Sequence, residues 1–303
     1  RGKRGKTRKD KSYELAVIDC DHINSALSDQ TDVSIARTLA CNERPQRVFQ
    51  GITPGHKVFL LTPKERMALL KLDPASRSVI HPYLIGRELL TGTGTPERFL
   101  IDFEQRDLVQ AQSFSAAFDR IEKQVLPTRA QNAAKDLKEH GEIRSHHKQF
   151  LDHWWKLAWD RADMLSRFAE LSKRYLVCSR VTKRPVFEFV SKSIRPGDAL
   201  QIFAFDDDYS FGILQSDAHW QWFVAKCSKL TERFRYTPES VFDTLPWPQS
   251  PTKKQIRAIA EAGREIRRIR AAALPTMTGG LRALYRTLAL PGTTHLKAAH
   301  ATR

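Results

Sequence analysis

Three prolines within six residues interrupt the sequence near its C-terminal end. The segment Pro246-Trp247-Pro248-Gln249-Ser250-Pro251 cannot lie inside a regular helix or strand, because proline lacks a backbone N–H and has a fixed φ. Beyond it, apolar residues recur at helical spacing from Ile256 to Ile269. The sequence therefore predicts a boundary near Pro251, followed by a C-terminal helical segment over residues 251–303.

Before this boundary, short runs of β-branched and aromatic residues predict strands. Such runs occur at residues 13–18, 48–61, 175–190 and 200–205, and most are bounded by glycine or proline turns. Helical spacing predicts a helix that opens at Thr62, a helix over 106–125 that Pro127 interrupts, a solvated helix or hinge over 128–148, and helices over 154–165 and 217–229. We therefore expect an α+β fold with a β-rich core and flanking helices.

The chain has a strong excess of basic residues. Lysine and arginine number 50 against 34 acidic residues, which gives a net charge of +16. Residues 1–11 contain seven basic residues and one acidic residue, and residues 253–270 contain seven and two. A positive field of this size attracts polyanions, of which nucleic acid is the commonest inside cells. Charge alone leaves the alternative of a basic linker over residues 1–12 plus a solvated helix face.

Composition excludes several classes of protein. The hydrophobic content of 41% is sufficient for a core, but no apolar run approaches the length that crosses a bilayer. The four cysteines lie far apart without a Cys-x-x-Cys pair, which argues against a zinc site or a disulfide framework and indicates a reducing, cytoplasmic setting. The chain begins with Arg1 and has no signal segment, so we expect it to be part of a longer protein.

Sequence motifs for catalysis are missing. Neither Gly-x-Gly-x-x-Gly nor Gly-Lys-Ser/Thr occurs, which argues against a nucleotide site. Four histidines cluster in a polar stretch: His140, His146, His147 and His153. Because no cysteine or carboxylate lies at ligand spacing, we interpret them as part of a solvated helix face rather than a metal site. No glutamate has a lysine two residues later, so metal-dependent cleavage of nucleic acid is not expected.

Basic side chains concentrate at two predicted loop regions. In the segment 179–185, Arg180, Lys183 and Arg184 lie in a turn between β-rich runs. Arginine can bind the major-groove edge of guanine, and lysine can reach base acceptors or phosphate; the alternative is a solvated turn. A second cluster, suited to phosphate contacts, comprises Lys226, Lys229, Arg233, Arg235 and Tyr236. The tryptophans expected in the core are Trp154, Trp155, Trp220 and Trp222.

A series of sequence blocks follows in a distinctive order and spacing. The blocks are VFQGITPGH (48–56), PYLIGREL (82–89), RFLIDF (98–103), SRV (179–181), YSFGIL (209–214), RYT (235–237) and VFDTLPWP (241–248). They resemble the target-recognition region of MmeI-like DNA methyltransferases, the large single-chain adenine-modifying enzymes of type IIG restriction systems and related phage-defence systems. LYRTL (284–288) with LPG (290–292) is similar to the family's C-terminal tail.

The resemblance implies methyl transfer from S-adenosylmethionine to an adenine flipped out of double-stranded DNA. That chemistry needs an Asn/Asp-Pro-Pro-aromatic loop, and none of the three asparagines precedes a proline. The resemblance therefore implies that this chain is the specificity part, with no catalytic residue or cofactor of its own and with a catalytic methyltransferase domain upstream. Residues 13–47 would be the end of that domain or a connector, and residues 48–250 the DNA target-recognition domain.

On this basis we predict a DNA-binding surface. Arg180, Lys183 and Arg184 are expected at bases or nearby phosphates, Lys226, Lys229, Arg233 and Arg235 at the DNA backbone, and Gln50, His56 and Arg87 either at DNA or in hydrogen bonds that hold loops. Two alternatives remain open. One is a methyltransferase that is active as given, and the other is a non-sequence-specific nucleic-acid-binding or interaction module left from a truncated gene.

Overall fold

The computed structural model describes residues 39–92, 94–230 and 233–287, with the backbone alone at 228–230 and 233. These residues belong to one unit of the chain. The predicted basic linker over 1–12 and the predicted strand over 13–18 lie outside the described residues. The proposed domain limits at residues 47 and 250 stay a prediction.

The strands form three small sheets. In chain order they are β1 (Val48–Gln50), β2 (Leu60–Leu61), β3 (Ile80–Leu84), β4 (Arg98–Ile101), β5 (Arg174–Ser179), β6 (Val181–Thr182), β7 (Glu188–Ser191), β8 (Arg195–Pro196), β9 (Leu200–Phe203), β10 (Ser228–Leu230) and β11 (Arg233–Arg235). The sheet orders are β1-β9-β5-β7, β2-β4-β3-β8 and β10-β11-β6. Every pairing is antiparallel except β3 with β8.

Helices surround the sheets. They are α1 (Pro63–Leu72), α2 (Gly86–Thr91), α3 (Leu108–Gln112), α4 (Ser115–His140), α5 (Ser145–Asp152), α6 (Ala162–Ala169), α7 (Asp208–Gln215), α8 (Asp217–Lys226), α9 (Lys253–Ala273) and α10 (Gly280–Thr287). The predicted start at Thr62 is confirmed, because its hydroxyl accepts the Glu65 N–H while the Glu65 carboxylate accepts the Thr62 N–H. The α+β prediction, a β-rich core with flanking helices and a helical C-terminal segment, is confirmed.

Pro127 does not interrupt its helix, so that prediction was wrong. Helix α4 runs through it for 26 residues. Ile121 and Val125 before the proline and Arg129 and Ala133 after it are buried on one face, because residues four apart lie above one another. Pro127 itself faces solvent, where water can hydrate the carbonyl that loses its partner. Continuous packing of the buried face therefore outweighs the local penalty.

The helix predicted over 154–165 was also wrong in its first half, since α6 begins only at Ala162. The chain before it leaves helical geometry because its carbonyls have another donor. The buried Arg129 guanidinium donates to the carbonyls of Phe150, His153 and Lys156 at 2.9, 3.1 and 3.0 Å. The predicted burial of three tryptophans is nevertheless confirmed: Trp154, Trp155 and Trp222.

Helix α9, predicted from the sequence, packs closely against α7. A Cβ atom on Gly263 would lie 2.8 Å from the carbonyl oxygen of Asp208, so only glycine permits this approach. Three arginines surround the Asp208 carboxylate beside this contact, with nitrogen–oxygen distances of 3.3 Å for Arg174, 3.7 Å for Arg264 and 2.8 Å for Arg267. We call these four side chains the Asp208 clamp.

A second arginine joins the C-terminal helices to the central sheet. Arg270 of α9 is 3% exposed. Its guanidinium donates to the Phe187 carbonyl at 2.6 Å, to the Gln215 side chain at 2.5 Å, and to the hydroxyl of Tyr285 on α10. Arg270 donates both to the Phe187 carbonyl before β7 and to the Tyr285 hydroxyl on α10. It therefore fixes α9 and α10 to the segment that leads into β7.

Candidate nucleic-acid interface

The segment 179–185 forms a short edge strand with a charged residue at each end. Strand β6 pairs with β11 and lies at the edge of its sheet. The backbone of Arg180, just before β6, is fixed on two sides, because its N–H donates to Ala199 and its carbonyl accepts from Tyr236. Lys183 follows β6 and is exposed. The predicted turn between β-rich runs is thus a rigid edge that presents cations.

An open cleft of about 760 Å³ lies beside this edge. Five arginines line it: Arg44, Arg161, Arg167, Arg180 and Arg235. Four carboxylates line it as well: Glu43, Asp163, Glu239 and Asp243. Of the predicted site residues, the structure brings Gln50, Arg180 and Arg235 together in this cleft. The cleft therefore offers both hydrogen-bond donors and acceptors at one surface.

Three of the arginines act on one another. The pKa of Arg180 is lowered first by burial, then by the positive charges of Arg235 and Arg161. Burial likewise lowers the pKa of Arg161. Arginine remains charged under these conditions, so the three guanidinium groups repel one another in the free protein. An anion in the cleft would relieve this repulsion.

Sequence reasoning missed Arg161. It lies immediately before α6 with a left-handed φ of 58°, a conformation that costs free energy for any residue with a side chain. Its Nε donates to the Gly51 carbonyl at 3.3 Å. A strained residue held at a cleft is a frequent property of functional sites. No local sequence signal identifies it, because its neighbours in the cleft come from distant segments.

Two glutamines lie on the paired strands β1 and β9, where Gln50 is opposite Gln201. The Gln50 amide donates to the Asp198 carbonyl at 3.3 Å, and the Gln201 amide donates to the Phe49 carbonyl at 2.8 Å. Gln201 is buried and lines the cleft. Its Oε1 atom has no hydrogen-bond partner among the residues that the structure describes. This oxygen is a buried acceptor at the cleft wall.

Two further groups define the cleft wall. The Tyr236 hydroxyl and His219 Nε2 are 2.9 Å apart in the interior, and burial lowers the pKa of His219 to about 4. A neutral histidine therefore holds the tyrosine in place at neutral pH. On the acidic side, burial and the nearby Glu239 and Glu43 raise the pKa of Asp243 to about 6.

Lys183 and Arg184 line a second, smaller pocket of about 250 Å³ that includes both residues of β6. The Arg184 guanidinium lies 5.2 Å from the Trp220 ring centre and 5.9 Å from that of Tyr285. Burial lowers its pKa. Lys183 has no such packing in the described residues and points its charge to solvent.

The other predicted residues are dispersed. Lys226 ends α8, with Nζ 5.3 Å from the Trp222 ring centre. The predicted helix over 217–229 is shorter than expected, and Lys229 and Arg233 lie instead on the β10–β11 hairpin. His56 accepts the Val58 N–H at 3.3 Å and caps a 3₁₀ turn, which is the loop-holding alternative. Arg87 is exposed on α2.

The histidine-rich stretch contains an ion pair. His147 Nδ1 lies 2.5 Å from the buried Asp136 carboxylate, which also accepts two hydrogen bonds from the Arg144 guanidinium. Within the described ranges, no three His, Cys, Asp or Glu side chains are grouped as metal ligands. No helix in the same ranges is long and apolar enough to cross a membrane.

Among solved structures, the chain is similar to one described as the type IIL restriction-modification enzyme MmeI in complex with DNA, with a TM-score of 0.68 and 23% identity over 94% of this chain. The match spans 35% of that enzyme. A structure of the type IIG restriction endonuclease BpuSI aligns with a TM-score of 0.39 and 13% identity, over 72% of this chain and 25% of that one.

Among curated proteins, no sequence matches this chain significantly. The sequence model of the MmeI target recognition domain matches residues 29–249. That range is well over half of the chain, and it contains the cleft, β6 and the predicted site residues. The chain therefore belongs to the family of MmeI target recognition domains.

Proposed function

We propose that this chain recognises a specific sequence of double-stranded DNA as the specificity part of an adenine-specific, S-adenosylmethionine-dependent DNA methyltransferase. Such an enzyme belongs to a restriction-modification or phage-defence system, and its catalytic domain lies upstream as the partner of this chain. Family membership supports a role in target recognition. The methyl-transfer chemistry and the cytoplasmic setting are parts of the proposal that rest on the sequence resemblance.

The observation that carries the proposal is the group of three arginines in the open cleft. Arg161, Arg180 and Arg235 come from three separate segments and line one cleft, where burial and then the charges of Arg235 and Arg161 lower the pKa of Arg180. This repulsion does not stabilise the fold. Bound phosphates or guanine edges would offset it, because both present anionic or electron-rich acceptors to a guanidinium group.

The two sides of the cleft suit different contacts. Arg180, with a fixed backbone at the end of β6, is placed to hydrogen-bond the guanine edge. Asp243 supplies an acceptor for the amino groups of cytosine or adenine. Arg235 is exposed and suits a phosphate contact that fixes register. Base discrimination would then come from donors and acceptors at one surface.

The described residues do not fit S-adenosylmethionine. This cofactor carries a positively charged sulfonium, and in the larger cleft five arginines outnumber four carboxylates. The smaller pocket beside β6 is also cationic, with Lys183 and Arg184 among its lining residues. Like charges repel in both places. We therefore assign the cofactor to the upstream catalytic domain and derive no step through it here.

The test is selection of sequences from a random duplex library by this chain at several salt concentrations. We expect enrichment of a short motif, and we expect Arg180→Gln to relax the preference at one position by about 1 to 3 kcal/mol. Arg257→Gln is the matched control, since Arg257 is exposed on α9 and lies outside both pockets.

Binding without any enriched motif would contradict sequence recognition and favour a non-specific nucleic-acid module. The catalytic part of the proposal has its own test in the coding sequence upstream of residue 1. An Asn/Asp-Pro-Pro-aromatic loop there, followed by methylation of adenine in the enriched motif by the longer protein, would support the proposal. Methylation of another base would contradict it.

A further inference from the structure

Helix α10 is attached firmly to the edge that carries Lys183. Leu281 and Leu284 are buried against Val186. At its first residue, Gly280 has a φ of +61° and lies against the backbone of α2, where an added Cβ would be 2.9 Å from the Gly92 carbonyl oxygen. The buried Arg270 fixes the same helix through the Tyr285 hydroxyl. The position of α10 beside β6 is therefore determined by packing.

The opposite side of α10 is cationic. Arg282 and Arg286 are exposed and lie one turn apart, so they share one face of the helix. Both line the 250 Å³ pocket together with Lys183 and Arg184. They also line an adjoining depression of about 460 Å³ that contains Thr91 and Thr278 and offers hydroxyl groups next to the charges.

Within the part of the chain that the structure describes, Lys183, Arg282 and Arg286 have no acidic partner. Among the residues that the structure describes, no carboxylate lines either depression. In the same ranges, no salt bridge involves Lys183, Arg282 or Arg286. The Asp208 clamp shows that this chain does neutralise three arginines elsewhere. Like charges one turn apart destabilise a helix, and an anion between them removes that effect.

We propose that Lys183, Arg282 and Arg286 form a phosphate-binding pocket for the backbone of duplex DNA. The proposal rests on the proposed function and extends the DNA interface to a helix beyond the family match at residues 29–249. The partner is DNA rather than a small anion because the segment 180–184 joins this pocket to the arginine cleft. Three residues of extended chain span about 10 Å, so a duplex strand that enters the cleft passes the pocket.

The experiment compares two double variants of this chain on a duplex that carries the enriched motif and on a random duplex. Arg282→Gln/Arg286→Gln removes two charges from α10, and Lys254→Gln/Arg257→Gln removes two from the exposed face of α9. We expect the α10 variant to lower the slope of log affinity against log salt by about two, on both duplexes. Affinity should fall about tenfold or more at 0.1 M salt, with the motif unchanged and the thermal midpoint unaltered.

An α10 variant that behaves like the α9 control would overturn the proposal. A changed motif would overturn it too, because the arginines would then contact bases. A larger loss of affinity for duplex RNA than for DNA would assign the pocket to RNA. If millimolar inorganic phosphate competed for the pocket but left the salt slope of DNA binding unaltered, the pocket would be assigned to a free anion. A wild-type chain that binds duplexes without a motif contradicts the proposed function alone, and one that binds no duplex contradicts both.

Discussion

Two groups of three arginines in this chain differ in what surrounds them. In the Asp208 clamp, Arg174, Arg264 and Arg267 share one carboxylate between β5, α7 and α9. In the open cleft, Arg161, Arg180 and Arg235 line a surface that also carries four carboxylates, and the pKa of Arg180 is lowered first by burial and then by the charges of Arg235 and Arg161. The first group stabilises the fold through ion pairs. The second stores repulsion that a ligand can relieve.

The difference shows that an arginine can be structural or ligand-binding, depending on its surroundings. Arginines of both groups lie next to aromatic rings or backbone carbonyls and are partly buried. In the clamp, one carboxylate from a third segment lies within 3.7 Å of all three guanidinium groups, which marks a structural cluster. We therefore predict that variants in the Asp208 clamp change stability, whereas variants among the cleft arginines change DNA binding.

The largest expected effect is a loss of stability when the carboxylate of the Asp208 clamp is removed. Asp208→Ala leaves three guanidinium groups facing one another around a side chain that is 15% exposed. We expect the free energy of unfolding to fall by about 2 to 3 kcal/mol, less than for a fully buried pair because the arginines are partly solvated. Urea unfolding measures it. The enriched DNA motif should persist below the unfolding transition; loss of the motif in this variant would contradict the separation of the two groups.

The second-largest effect is expected in the open cleft, where a variant should change DNA recognition rather than stability. Arg180→Gln should weaken discrimination at one base position by about 1 to 3 kcal/mol, whereas the free energy of unfolding should change by less than about 0.5 kcal/mol. Duplex selection and urea unfolding give the two quantities. Arg174→Gln is the matched control from the clamp, and it should lose stability without any change of motif. If both variants lost stability equally, the cleft arginine would be structural.

Low pH should lower the free energy of unfolding through His219, which lies in the wall of the cleft. The pKa of His219 is about 4 in the folded chain and near 6.5 when unfolded, so the unfolded state takes up a proton first as pH falls. The contribution of neutral His219 to the free energy of unfolding is therefore fully present above pH 6.5. It declines toward pH 4 by about 1.4 kcal/mol per pH unit. The His219→Gln variant should show a slope smaller by that amount in urea unfolding between pH 6 and pH 5. Equal slopes would show that His219 is protonated in the folded chain.

The smallest effect concerns backbone strain at the cleft. Arg161→Gly and Arg161→Gln both remove the guanidinium group and should weaken duplex binding equally. Arg161→Gly should be the more stable of the two by about 1 kcal/mol, because glycine adopts a φ of 58° without steric cost. Thermal unfolding compares them. Equal stability would mean that the left-handed conformation is not strained here.

The sequence identified the type of fold and the location of the edge strand, but not the grouping of the charges. Thr62, Pro63 and the spacing of α9 were sufficient to predict helices, since capping and periodicity are local properties. Pro127 was misleading because distant packing determined the outcome. Arg161 and Arg282 could not be found, since what makes each notable is its neighbours, which come from segments far away in the chain.

The buried Arg270 has a consequence for exchange of this domain between proteins. The family match ends at residue 249, yet Arg270 supplies the donors for the Phe187 carbonyl and the Gln215 side chain in the interior. A fragment that stops at 249 would leave the Phe187 carbonyl without its donor and would uncover the face of α7 that Gly263 meets. A portable unit with this interior contact intact therefore includes α9 as well as the family match, and specificity would travel with that helix.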